Sequence, residues 1–178
     1  ENVTAMHATL DVNSEEKLLE SVAMLRSARR IILTGIGASG LVARNFGWKL
    51  TKIGYNAMAE QDMHALLSTV QAMAPDDLLV AISYSGERRE INLASDEALR
   101  VGGKILAITG FTPHTLQKQA EHCLSTVAEL PATRGAALSA TTAQYSLTDL
   151  LFVALVQQDT EHAPERIRHS EELVKKLI

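Results

Sequence analysis

The stretch R-I-I-L-T-G-I-G-A-S-G, residues 30–40, decides the fold of this chain. Its apolar residues 31–33 lack polar alternation, which predicts a strand covered on both faces, as in a parallel sheet. The glycines that follow allow a tight turn. A helix that starts at Ala38 or Ser39 would direct its unpaired N–H groups back at that turn. The segment therefore predicts a strand, a loop suited to an anion, and a helix.

Strands and helices alternate along the rest of the chain. An opening helix to Ser27 is expected to begin with a capping box of Asn13 and Glu16. We predict later strands at 55–59, 78–82, 105–109 and 123–127, and helices at 62–70, 87–101, 139–158 and after Pro164. This alternation implies right-handed crossovers. The fold class is therefore α/β, a flavodoxin-like three-layer αβα sandwich with a five-stranded parallel sheet.

Composition restricts the class of protein. The chain has 178 residues, 46% of them hydrophobic, which suits one domain with a full core. Its formal net charge of −4 argues against nucleic-acid binding by this segment. The single cysteine, Cys123, excludes a disulfide framework and favours a reducing compartment. Without a long apolar run or a signal peptide, we expect a cytoplasmic protein that does not enter the membrane.

A second polar loop follows the most apolar strand, with the sequence Ser83-Tyr84-Ser85-Gly86. In sheets of this kind, ligands bind at the carboxyl ends of the strands. Both loops are expected at that edge, and each precedes a helix. Together they predict one phosphate held from two sides.

The glycine loop also fits a dinucleotide site. Residues 35–40 match G-x-G-x-x-G, and Glu60 ends the next predicted strand, where a ribose-binding acid would lie. The second loop argues against this interpretation, as does the lack of room for a substrate domain. No lysine of the nucleoside triphosphate motif follows either glycine run. We therefore expect no cofactor, and the sequence gives no metal site.

The chain resembles the sugar isomerase (SIS) phosphosugar-binding domain. The resemblance rests on T-G-I-G-A-S-G at 34–40, I-S-Y-S-G-E at 82–87 and A-I-T-G at 107–110. It covers residues 15–178, and residues 1–14 would then be the end of an interdomain linker helix. The resemblance implies a fold that binds a sugar phosphate at two loops.

The resemblance also implies the site residues. The phosphate-binding hydroxyls would belong to Ser39, Ser83 and Ser85, with Thr109 near the sugar.

Other residues at the same edge complete the candidate ligand-binding set. Gly37 and the backbone N–H of Tyr84 would approach the phosphate, and Glu60 and His64 follow the second strand. Where the family often has a threonine, this chain has Arg88. That arginine could bind phosphate with two N–H groups, or it could be a solvated side chain beside two glutamates.

The C-terminal part resembles the effector domains of RpiR-type bacterial transcription regulators. The shared runs are R-G-A-A-L-S-A-T-T-A-Q at 134–144 and D-L-L-F-V-A-L at 149–155. W-K-L-T-K-I-G-Y at 48–55 is similar to the type that responds to N-acetylmuramic acid 6-phosphate. Such proteins bind DNA through an N-terminal helix-turn-helix (HTH) domain, which this chain lacks. The resemblance implies a sensor that is not an enzyme.

Two other functions stay open. The first is a single-domain isomerase similar to 6-phospho-3-hexuloisomerase, with His64 or Glu129 as the acid–base group. The G-T-L-F-E-like run of those isomerases is missing here. The second is a purely dimer-forming module. In any case, the apolar surplus of the last two helices predicts a homodimer or tetramer, with Trp48 in the core or an interface.

Overall fold

A five-stranded, entirely parallel sheet forms the centre of the computed structural model, which describes residues 2–111, 113–127 and 136–178. The strands follow the order β2-β1-β3-β4-β5 across the sheet. Their bounds are β1 Ile31–Gly35, β2 Ala57–Ala59, β3 Leu78–Ser83, β4 Lys104–Gly110 and β5 His122–Thr126. The predicted fold class is confirmed.

Eight helices in the described residues pack around this sheet. They are α1 Asn2–Val12, α2 Glu15–Ser27, α3 Ala38–Lys52, α4 Met63–Gln71, α5 Arg89–Arg100, α6 Thr115–Gln119, α7 Ala136–Gln158 and α8 Ala163–Lys175. None of the helices in these ranges is long and apolar enough to cross a membrane.

The alternation of side chains along β3 shows how the two helical layers attach. Leu78, Val80 and Ile82 pack against α2, α3 and α7 on one face. Leu79 and Ala81 pack against α4, α5 and α6 on the other. Because successive strand residues point to opposite faces, a continuously apolar strand must be covered twice. This is the αβα arrangement.

Several predicted boundaries are wrong by a few residues. The N-cap of α2 is Ser14, whose hydroxyl accepts the Lys17 N–H, so the capping box with Asn13 does not form. Helix α5 begins at Arg89, with Arg88 as its N-cap in an extended conformation.

Trp48 is not in the core: it is 61% exposed, with the Lys52 ammonium 4.5 Å above its ring.

Asn13 instead binds the edge of the sheet. Its amide donates to the Ser125 carbonyl at 2.7 Å and accepts the Ser125 N–H at 2.8 Å. One turn earlier, the Thr9 hydroxyl accepts the Val127 N–H at 2.8 Å. These side chains supply partners to the free edge of β5 and fix α1 against it. Whether α1 ends an interdomain linker stays a prediction.

A buried carboxylate, Asp77, lies directly before β3, at the end of the sheet where the strands begin. Asp77 is fully buried and accepts bonds from Arg29 Nε at 3.0 Å, Arg29 Nη2 at 2.8 Å and the Ala74 N–H at 2.8 Å. Burial raises the pKa of Asp77, but the hydrogen bonds from Arg29 and Ala74 outweigh it, so the pKa lies below its ordinary value.

Asp77→Asn should lower the free energy of unfolding by about 1–3 kcal/mol at pH 7. The folded pKa is below the unfolded one, so the carboxylate's contribution is present above about pH 4 and is lost as pH falls further. Urea unfolding of both proteins from pH 3 to pH 7 should therefore show a difference that shrinks at low pH. Asp76→Asn is the control, because Asp76 is exposed and 3.6 Å from Arg29 Nε. Equal losses in the two variants would contradict this assignment.

Candidate functional site

Two loops meet at the carboxyl ends of the neighbouring strands β1 and β3. We call residues 35–40 the glycine loop and residues 83–88 the serine loop. Ser39 of the first lines the same cavity, of about 230 Å³, as Ser83 and Ser85 of the second. A second cavity of about 370 Å³ shares Ser39 with the first and extends to α7. The structure thus brings together the three serines that were predicted to act together.

The glycine loop turns directly from β1 into α3. Gly37 has a φ of 60° and caps the helix, and nothing lies within 4 Å of where its side chain would be. Positive φ values favour glycine, which explains this residue at an open turn. Because the helix starts at Ala38, the unpaired N–H groups of its first turn lie beside Ser39. Backbone donors and the Ser39 hydroxyl therefore share one side of the cavity.

Backbone hydrogen bonds orient the hydroxyls of the serine loop. Ser83 Oγ accepts the Gly86 N–H at 3.2 Å, and Ser85 Oγ accepts the Glu87 N–H at 3.1 Å. A hydroxyl that accepts from the backbone still has its own proton to donate. Ser83 and Ser85 can therefore donate to an anion in the cavity. Tyr84 also lines the cavity, and its backbone carbonyl accepts the Gly110 N–H at 2.7 Å.

Gln144 is a site residue that sequence reasoning missed. It lies on α7, is 1% exposed, and its Nε2 donates to Ser39 Oγ at 3.1 Å. It falls within the run 134–144, to which no residue-level role was assigned. Its position carried a signal, because Gln144 is in register with the buried Leu147 and Leu151. A polar residue on an apolar helix stripe usually has a specific partner.

Arg88 is the charged residue of this site. It is exposed, it lines both cavities, and it stands at the N-cap of α5. A guanidinium there places positive charge beside the hydroxyl donors, which favours an anionic ligand. Among the described residues that line the two cavities, none carries a carboxylate or an imidazole.

Thr109 lies next to the site without lining either cavity. It pairs with Ser83 across β3 and β4, is fully buried, and its Oγ1 is 2.6 Å from His114 Nε2. In this structure the serine loop lies between the Thr109 hydroxyl and the cavities. The predicted contact of Thr109 with the sugar therefore stays a prediction.

Glu60 and His64 follow the carboxyl end of β2, the strand next to β1 in the sheet. The Glu60 carboxylate accepts the Asp62 N–H at 3.0 Å, and His64 is exposed in the first turn of α4. Neither lines the two cavities. Glu129 lies outside the described residues. Within the described residues, no group of three His, Cys, Asp or Glu side chains is placed to hold a metal ion.

Comparisons with known proteins agree with this fold. Residues 24–154 match the model of the SIS domain. The chain is 74% identical over its whole length to an uncharacterized HTH-type transcriptional regulator, YfhH, of Escherichia coli K12. It spans 63% of the length of that relative.

Solved structures extend the likeness in fold. The NanR protein of Vibrio vulnificus, complexed with ManNAc-6P, has a TM-score of 0.91 at 24% identity and covers 99% of this chain and 67% of its own. The sugar isomerase domain of an RpiR transcription factor from Sphaerobacter thermophilus has a TM-score of 0.85 at 20% identity, with 96% and 94% covered. A phosphoheptose isomerase from Francisella tularensis shares the fold at 0.70. On the match over residues 24–154, the chain belongs to the SIS domain family.

Proposed function

We propose that this chain is the effector-binding domain of an RpiR-type transcriptional regulator, and that it binds a sugar phosphate between the glycine loop and the serine loop. One observation carries the proposal. Three serine hydroxyls from two loops, Ser39, Ser83 and Ser85, line one cavity beside a cationic side chain, Arg88. Hydroxyl donors, free helix N–H groups and a guanidinium are the groups that bind a phosphate dianion.

The residues that line the two cavities favour ligand binding over isomerase activity. Conversion of an aldose to a ketose through an enediol requires a positioned base, commonly a carboxylate or an imidazole. The ionisable side chains among the described lining residues are those of Arg88 and Tyr84. At the place where the sugar would extend toward α7, the polar side chains are the hydroxyl of Thr141 and the amide of Gln144, both neutral, and the amide binds Ser39. Such groups suit the orientation of a ligand, and none of them is the carboxylate or imidazole that isomerisation commonly uses.

The ligand we favour is an amino-sugar 6-phosphate. NanR, which shares the fold closely, is complexed with ManNAc-6P, and the sequence is similar to the type that responds to N-acetylmuramic acid 6-phosphate. The longer relative is an HTH-type regulator, so DNA would be bound by a domain outside this chain. We propose a cytoplasmic homodimer or tetramer in which the ligand shifts the population of domain arrangements.

Titration calorimetry with a panel of sugar phosphates tests this function. The panel contains N-acetylmannosamine 6-phosphate, N-acetylmuramic acid 6-phosphate, N-acetylglucosamine 6-phosphate and arabinose 5-phosphate, with N-acetylmannosamine as the control without phosphate. We expect at least one phosphate ester to bind and the control not to bind. NMR of each mixture should show no new sugar. Catalytic formation of an isomer would favour the enzyme, and binding of the control alone would refute the phosphate site.

A further inference from the structure

The serine loop is held from behind by the start of α6 and the two residues before it. We call residues 113–117 the backing segment. The Leu116 N–H donates to the Gly86 carbonyl at 3.1 Å. The Thr115 N–H and hydroxyl each donate to the Glu87 carboxylate at 2.7 Å. Gly86 and Glu87, the two residues that follow Ser85 in the serine loop, are thus attached to Thr115 and Leu116, and the Glu87–Thr115 pair is 28 residues apart in the chain.

His114 is the centre of the backing segment. It is 7% exposed, and its Nδ1 accepts the Gln117 N–H at 3.0 Å, which caps α6. Since Nδ1 accepts, the ring proton is on Nε2, which donates to Thr109 Oγ1 at 2.6 Å. Only the neutral ring can make both bonds, because a protonated imidazole has two donors and no acceptor.

The ring also packs directly against Gly86. A Cβ added to Gly86 would lie 2.3 Å from the His114 ring, and Gly86 has a φ of 66°. The Gly86 N–H is the group that orients Ser83 Oγ. A displacement of the ring would therefore move Gly86, and with it the hydroxyl of Ser83 and the neighbouring Ser85.

Few charged groups face this ring. Glu87 comes from the serine loop and Lys118 from α6, and both line the recess beside His114. Strand β4 contributes the Thr109 hydroxyl, and β5 contributes the Cys123 thiol, 3.1 Å from that hydroxyl. Burial lowers the pKa of His114, and the Glu87 carboxylate opposes this to a smaller degree. The ring is therefore neutral at pH 7.

We infer that His114 is a positioning residue for the serine loop, whose neutral ring holds Gly86, Ser83 and Ser85 in the arrangement that binds an anion. The inference rests on the proposed function for the identity of the ligand, and His114 itself does not touch it. The unfolded histidine has a pKa of about 6.5. Since the folded ring has a lower pKa, anion affinity should be constant above about pH 6.5 and fall as the ring becomes protonated at lower pH.

The pH dependence of anion affinity is best tested with inorganic sulfate. Sulfate remains a dianion from pH 5 to pH 7.5, so a change in affinity cannot come from the ionisation of the ligand, as it could with a phosphate ester. As pH is lowered and the His114 ring, followed by its own NMR shifts, becomes protonated, we expect wild-type affinity, followed by NMR shifts of the serine-loop amides, to decrease about fivefold or more. His114→Asn keeps an acceptor for the Gln117 N–H but cannot be protonated, so its affinity should be independent of pH. His122→Asn, on β5, is the matched control and should behave as the wild type. A rise in affinity at low pH, or equal pH dependence in His114→Asn, would overturn the inference.

A pH titration of the wild-type protein without anion, followed by NMR, tests the role of His114 separately. Its result depends neither on anion binding nor on whether the His114→Asn variant folds. The Gly86 and Leu116 amide resonances of the wild type should shift with the same midpoint as the His114 ring. Amides that do not follow the ring would refute the positioning role, whatever sulfate does. If sulfate and the phosphate panel both fail to bind at every pH, the proposed function is wrong, and the amide titration still decides the role of His114.

Discussion

Replacing Ser83 and Ser85 by alanine, singly and together, is expected to weaken sugar-phosphate binding without unfolding the protein. In the proposed site each hydroxyl donates to the phosphate, and a lost hydrogen bond to a charged group costs about 1.5–3 kcal/mol, or about 10- to 150-fold in affinity. The loop should keep its shape, because the Gly86 N–H also donates to the Ser83 carbonyl at 3.2 Å. Calorimetry with the tightest ester of the panel measures the effect.

Ser95→Ala is the matched control for these variants. Ser95 is buried on α5, and its hydroxyl donates to the Ile91 carbonyl of its own helix at 2.8 Å. It does not line the two cavities. Its loss should leave the dissociation constant unchanged. The site assignment fails if Ser83→Ala and Ser85→Ala bind the ester as tightly as Ser95→Ala does.

Gly35→Ala is expected to have the largest effect on stability. A Cβ at Gly35 would lie 2.6 Å from the Ser39 carbonyl carbon, 2.7 Å from its oxygen and 2.9 Å from the Gly40 nitrogen. All three atoms are backbone atoms of the first turn of α3, so no side-chain rotation can relieve the clash. The strand and helix would have to separate, at a cost of about 3 kcal/mol or more in the free energy of unfolding. Urea unfolding measures this cost.

Gly47→Ala serves as the control for Gly35→Ala. Gly47 is also buried, on α3, but an added Cβ would meet the side chains of Ala59 and Leu33 at 3.4 Å. Alanine is favoured over glycine in a helix by about 1 kcal/mol, which offsets a small packing cost. We expect a change within about 1 kcal/mol. Equal losses at the two positions would show that the close approach at Gly35 does not limit stability.

The sequence predicted the candidate site best where a polar side chain lies at the junction of a predicted strand and a predicted helix. Ser39, Ser83 and Ser85 were expected to lie together because each is at a junction between an apolar strand and a helix, and parallel strands place such junctions at one end of the sheet; their role as phosphate ligands, implied by the family resemblance, stays a prediction. The predicted helix starts were less accurate, because Asn13 and Ser14 are about equally good N-caps and because no side-chain cap marks the start of α5 at Arg88. Of the two places predicted for Trp48, the structure excludes the core, and an interface stays a prediction; aromatic character alone does not reveal which side of a helix faces the sheet.

What the sequence alone determined was the alternation of strands and helices, the parallel sheet and the two anion-suited loops. Each of these follows from patterns within about ten residues: apolar runs, glycine turns and helix starts. Only the tertiary structure placed Gln144 beside Ser39, 105 residues away, and His114 behind Gly86, 28 residues away. The physical reason is that a hydrogen bond between distant residues depends on how helices pack onto the sheet, and no local periodicity encodes that packing.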